Sequence, residues 1–314
     1  MSNDAADTWN ARHGQWLRYV EEVVQTLEGG KKIPLGPASS SLLPPPVSSV
    51  PAEPVRIVVC APHPDDEALV GALPLRLRLE TGAHVTDCAI TLGSNVTQRP
   101  RRLRELSSAC RVLGFDLIVP LHPAGFDNVN LKTRTNCPEE WAAKVETLCE
   151  VFDRLAPDVV FAPHAEDFNT THIGTHFLAV DALGAYLERR GQGALMLIET
   201  EYWHENARPN LMVGVSPEVE AMLVMATAEH GAEVSRNPYH LRHPARMIEN
   251  VRLGAETVGG QGGAAPDFPF AELYRVTFMK GREVIEPRPG GRIVGPAEKI
   301  DAAWLRAQFW PEEH

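Results

Sequence analysis

At 314 residues, with 44% hydrophobic and 23% charged side chains, the chain has the composition of a globular protein and the length to bury a full core. Its 30 basic against 41 acidic residues give a formal charge of −11, which argues against a nucleic-acid groove, because phosphate binding needs clustered Lys and Arg. No stretch approaches the roughly 18 apolar residues of a membrane span, so neither a nucleic acid nor a membrane is expected as a partner.

Residues 8–28 carry Trp9, His13, Trp16, Val20, Val23 and Leu27 at helical spacing and end at Gly29-Gly30. This predicts an amphipathic helix within residues 1–30. Residues 31–54 are rich in Pro and Ser, including Pro44-Pro45-Pro46, and read as an extended connector. Such a connector would carry the helix to a docking site on the main domain or on a neighbouring subunit, the latter making a homo-oligomer. The start of the chain lacks the basic and apolar regions of a signal peptide. Five cysteines (Cys60, Cys88, Cys110, Cys137, Cys149) show no Cys-x-x-Cys spacing, and three of them lie inside apolar runs. Both features predict a reducing, cytoplasmic setting.

Residues 55–61 form a β-branched apolar run, the pattern of a strand buried on both faces. Further strands are expected at 84–92, 116–121, 158–162 and 194–201, with helices at 66–80, 100–113, 138–155 and 171–190 between them. This alternation predicts an α/β domain over 55–290: a Rossmann-like, mostly parallel twisted sheet with helices on both faces, preceded by the N-terminal helical extension. Helices at 216–233 and 239–254 follow, then a strand at 272–279, expected antiparallel at an edge. Residues 291–314 read as a tail. Gly259-Gly260-Gln261-Gly262-Gly263 follows a helix, so it reads as a loop and not as a nucleotide-binding turn.

The first strand runs into Pro62-His63-Pro64-Asp65-Asp66-Glu67, at the carboxyl end where open α/β sheets gather ligands. Acids at a helix start can simply cap it and offset its dipole. A histidine beside two aspartates in a Pro-shaped turn adds the donor types of a Zn²⁺ site. A second cluster, from His164 through Asp167, Asn169 and His172 to His176, follows the 158–162 strand. His172 and His176 share a helical face, but Ile173 stands where zincin proteases need Glu, so that reading is poor. If the two strands are neighbours, both loops open on one edge and a shared metal explains both.

The segment Ala61–Glu67 resembles the Ala-His-Pro-Asp-Asp-Glu signature of the LmbE/PIG-L family of metal-dependent de-N-acetylases. Asn169-Thr170-Thr171-His172 is similar to that family's His-Pro-Asp-His segment, and Arg102-Leu103-Arg104-Glu105-Leu106 extends the likeness. The resemblance implies that His63, Asp66 and His172 hold one Zn²⁺ per chain, with Asp65 as general base. It implies hydrolysis of the N-acetyl group of an N-acetylglucosamine-type amino sugar or conjugate by a metal-activated water. Arg102 and Asp127 would contact that small-molecule substrate. On the residues alone, Arg102 is equally one of several arginines on a helix face and Asp127-Asn128 a turn.

Asn169 departs from the family, which often has a histidine there to assist the oxyanion or the leaving group. Asn donates a hydrogen bond but transfers no proton at neutral pH. Either Asn169 acts as a donor only, or His164 or His204 takes the second proton role. Glu67 either orients a ligand or backbone amide or caps a helix. Tyr202-Trp203-His204 either lines the cleft or packs. Two further readings stay open: an amidase of a larger N-acyl or thiol-conjugate substrate, and a metal-binding protein without turnover.

Overall fold

The strands among the described residues are β1 (Arg56–Ala61), β2 (His84–Ala89), β3 (Asp116–Ile118), β4 (Val159–Pro163), β5 (Ala194–Thr200), β6 (Leu211–Val215), β7 (Phe270–Lys280), β8 (Glu283–Ile285) and β9 (Arg292–Val294). This computed structural model describes residues 3–37, 46–47, 51–191 and 193–311. Two compact units divide the chain, residues 1–35 and residues 36–314. In the first, one helix covers Asn3–Gly30, starting earlier than the apolar stripe suggested, and Trp9, Trp16, Val20 and Val23 on it are exposed. Residues 38–45 and 48–50 of the expected connector lie outside the described residues. No described helix is long and apolar enough to cross a membrane.

In the second unit the sheet order is β3-β2-β1-β4-β5-β7-β6-β9, with β8 paired to β7. The β3 to β5 half is parallel, with β1 between β2 and β4. Alternate residues of β1 enter two separate cores: Ile57 and Val59 pack on one face, Val58 and Cys60 on the other. Helices Ala72–Thr81 and Arg99–Leu113 feed the first core; Pro138–Leu155 and Thr170–Arg190 feed the second. The continuous apolar run of β1 is the sequence trace of this double burial.

Four expectations need correction. The strand anticipated at 272–279 is antiparallel but not at an edge, because β7 lies between β5 and β6 and nine of its residues, Ala271 to Met279, are buried in succession. The 66–80 helix is two helices, Asp66–Leu69 and Ala72–Thr81. The second starts afresh because its first amides are met by side chains from β7: Ala72 N donates to Glu272 (3.0 Å) and Leu73 N to the Tyr274 hydroxyl (2.9 Å). The 216–233 helix stops at Ala228 and resumes at Gly231, with His230 turned inward between. Residues 291–311 are not a tail, since β9 pairs with β6 and helix Ala302–Phe309 buries Leu305 and Phe309 completely.

Arg76 locks this C-terminal segment to the sheet. It is 1% exposed and donates to the carbonyls of Gly214 (2.7 Å), Gly295 (3.1 Å) and Glu298 (2.5 Å), with Glu80 beside its Nε at 2.6 Å. Arg76→Met keeps the stem but leaves those carbonyls unmatched and Glu80 with only the Ile300 amide. Urea unfolding is expected to show a loss of about 3–5 kcal/mol, the scale of breaking a buried pair from one side. A change below about 1 kcal/mol, the size of a surface pair, would contradict this role.

Candidate functional site

The turn after β1 is held from several sides. Pro62 O accepts from both Thr91 N (3.2 Å) and Thr91 Oγ1 (2.8 Å), which tether it to the end of β2. Arg102 Nη2 donates to Pro64 O at 3.1 Å. Arg102 reaches the turn past Gly93, whose φ of +85° and closeness to the guanidinium leave no room for a Cβ. Within the turn Asp65 adopts φ 109°, ψ −25°, a conformation that costs a non-glycine residue energy. Glu67 accepts from the Asp65 amide at 2.8 Å through one oxygen and pairs with His230 Nε2 at 2.8 Å through the other. The amide that Glu67 orients is that of the residue capping the helix Asp66–Leu69, so both alternatives for Glu67 describe the same contact.

Because β1 and β4 are neighbours, the turn after β4 opens beside this one. Asn169 caps the helix Thr170–Arg190, its side-chain oxygen accepting from Thr171 N at 2.8 Å. His172 follows within the first turn of that helix and is fully buried. Gly174 lets the helix lie against the 129–130 backbone, where a Cβ would come within 2.4 Å of Val129 O.

His63 Nδ1 and His172 Nε2 are 3.2 Å apart, and Asp66 Oδ2 is 3.3 Å from each. Two imidazole nitrogens and a carboxylate oxygen thus converge on one point, a grouping able to hold a metal ion. Ligands bound to Zn²⁺ at about 2.0–2.1 Å in a tetrahedron stand roughly 3.3 Å from each other, so the three atoms already have the right spacing. Three such donors would leave a fourth position open on a tetrahedral ion. His172 Nδ1 has Asp167 Oδ1 at 3.4 Å, and Asp167 also accepts from Asn169 N (2.7 Å) and Trp203 N (3.2 Å). A carboxylate in that place can orient the ring of a metal-binding histidine.

The charges agree with a cation site. Burial works against charging His172, yet the Asp66 and Asp167 carboxylates overcome it and hold the proton up to about 10 in the metal-free protein. Burial also opposes ionisation of Asp66, but the His172 and His63 imidazoles pull it below the usual carboxylate range. Asp65 behaves oppositely: burial, then the Asp66 carboxylate, push it up to about 7. Tyr239, whose hydroxyl donates to Asp65 Oδ2, stays protonated because it is buried against that carboxylate.

Arg102, Asp127 and Asn169 line one cavity of about 510 Å³, with His63 in its wall. Asp127 is paired with Arg99, which is itself buried and donates to Gly93 O. His176 lies outside the converging group; its Nδ1 is 2.8 Å from Pro163 O. His164 bridges two loops, Nδ1 accepting from Glu166 N (3.2 Å) in its own and Nε2 facing His204 O (2.9 Å) in the one after β5. His204 is exposed, with Nδ1 at Glu205 O. Tyr202 packs its ring on His172 at 4.6 Å. Sequence reasoning missed Asp167 as a partner of His172, Arg99 as the anchor of Asp127, and both His230 and Tyr239. The first two had a local signal in their clusters; the last two had none.

A family model, GlcNAc-PI de-N-acetylase (PIG-L), matches residues 58–183, from β1 into the helix that bears His172. Residues 58–183 are a PIG-L family domain. Both turns that supply the converging donors lie inside the PIG-L region, whereas His230 and Tyr239 lie beyond it. No curated protein sequence matches the chain. Among solved structures, a conserved protein of Thermus thermophilus is 22% identical with a TM-score of 0.52, covering 70% of this chain and 94% of its own. The N,N'-diacetylchitobiose deacetylase of Pyrococcus horikoshii is 16% identical (TM-score 0.51; 72% and 84% covered). The 4-carboxy-2-hydroxymuconate hydratase of Pseudomonas putida is also 16% identical (TM-score 0.53; 77% and 100% covered). At these identities the likeness is one of fold, and the fold carries more than one chemistry.

Proposed function

We propose that this chain is a zinc-dependent hydrolase that removes the N-acetyl group from an N-acetylglucosamine-type amino sugar or its conjugate. The observation that carries the reading is the convergence of His63, Asp66 and His172, with Asp65 in the same turn and a polar cavity against His63. The PIG-L assignment of residues 58–183 supports the same chemistry. A divalent cation held by the three donors would supply a Lewis acid for the acyl carbonyl and acidify a water.

The chain's own groups do the rest. Asp65 accepts the proton of the attacking water as its oxygen bonds to the acetyl carbon. The same carboxyl returns the proton to the nitrogen as the C–N bond breaks, so acetate and a free amine leave. A buried carboxyl beside the reacting water can take its proton and give it back in turn. The cap occupies the Asn169 oxygen, which leaves its amide as the hydrogen-bond donor for the developing oxyanion. Both ring nitrogens of His164 are engaged, by Glu166 N and by His204 O, and both proton transfers are assigned to Asp65. Asp127, anchored by Arg99, and Arg102, anchored on Pro64 O, face a polyhydroxylated ring with one acceptor and one donor.

Acetate release from a panel of N-acetyl hexosamines, free and glycosidically conjugated, tests this with metal content measured on the same preparation. Release that needs zinc and stops with a chelator is expected. Zinc-loaded protein that releases no acetate from any member of the panel would refute the substrate class.

A further inference from the structure

We propose that Tyr239 is a positioning residue for Asp65, and that the segment from His230 to Tyr239, outside the PIG-L region, builds the half of the active site that holds the general base. The inference rests on the reading of Asp65 as that base.

Asp65 needs holding. Its backbone is at φ 109°, and its carboxylate neighbours that of Asp66, so both sterics and like charge favour its turning away. Asp66 is occupied by two imidazoles and the His63 amide. Asp65 has neither imidazole. Its carbonyl accepts from the Ala68 and Leu69 amides; what grips its own amide and its carboxylate comes from residues 67, 230 and 239. The amide end is tied through Glu67 to His230, a pair in which both side chains are at most 1% exposed. The carboxylate end is tied at Oδ2 by the Tyr239 hydroxyl, which leaves Oδ1 for the reacting proton. Tyr239 is itself fixed: its amide donates to Asn237 O at 2.7 Å, and its ring packs with Leu69, Val70 and Tyr202 and stands edge-on to Trp203 at 6.4 Å.

A single hydrogen bond to a carboxylate can also be plain structural glue. The break between Ala228 and Gly231 argues otherwise, since it turns His230 inward to meet Glu67 while Tyr239 meets Asp65 nine residues on. Two side chains of one short segment thus reach the two ends of one residue.

Tyr239→Phe removes one oxygen and keeps the ring in its apolar seat. On zinc-loaded protein hydrolysing N-acetylglucosamine, kcat is expected to fall about 10- to 100-fold, the scale of a misplaced catalytic group, with KM unchanged. Calorimetry should show zinc bound as in the parent. A second readout needs no turnover: acetohydroxamic acid must give its proton to a nearby base to chelate zinc, so its affinity should drop in Tyr239→Phe and in Asp65→Asn alike. Should Asp65→Asn lose both readouts while Tyr239→Phe matches the parent in both, the positioning role is overturned and the base assignment stands. If Asp65→Asn itself matches the parent, the base assignment falls and takes this inference with it.

Discussion

His63→Ala and Asp66→Ala are each expected to leave the protein without bound metal and without hydrolysis. Each change removes one of the three donors that meet within 3.2–3.3 Å of each other. Loss of even an outer partner of a ligand weakens metal binding by roughly 10- to 100-fold, and loss of a direct ligand should exceed that. Metal analysis after dialysis, with circular dichroism to verify the fold, checks the result; stoichiometric zinc in either variant would remove that residue from the ligand set. The same site predicts a pH dependence with a definite sign. In the metal-free protein the Asp66 and Asp167 carboxylates keep His172 protonated to about 10, so a cation entering at neutral pH displaces a proton. Zinc affinity should therefore be weaker at pH 6 than at pH 8, with proton release visible when buffers of different ionisation enthalpy are compared.

Asp65→Asn is expected to behave in the opposite way, retaining zinc and losing kcat by about 100- to 10,000-fold, the range for removal of a positioned acid–base group. Asn is nearly isosteric and tolerates positive φ well, so the turn at φ 109° should survive. In the metal-free protein the variant should melt no lower than the parent at pH 8. The sign follows from burial and Asp66, which hold the Asp65 carboxyl up to about 7, so that above this pH its charge opposes folding and the neutral amide does not. Zinc stoichiometry, kcat and Tm measured on one preparation separate these effects. Near-normal kcat would show that another group takes the proton.

The two strand-end turns were legible because their signals are local. Prolines, acids and histidines packed into 62–67 and 164–176 mark ligand-rich loops whatever the rest of the chain does. Helix Pro138–Leu155 fell on the expected residues because an amphipathic stripe, a leading proline and a break past Leu155 are encoded within 18 residues. By contrast, the division of 66–80 into two helices depends on Glu272 and Tyr274, about 200 residues away, and no periodicity records that. The interior place of β7 and the folding of residues 291–311 into the sheet are likewise matters of pairing.

By itself, then, the sequence determined the element types along the parallel half of the sheet, the residues competent to bind a metal, and the acidic charge of the chain. Only the tertiary structure decided that β1 lies beside β4, which brings His172 to within 3.3 Å of Asp66 across more than a hundred residues, and that His176 stays out. It alone placed Tyr239 on Asp65 and His230 on Glu67. The physical reason is that local composition sets propensity and chemistry, whereas a site is a set of distances, and distances between remote residues exist only once strands pair and helices pack.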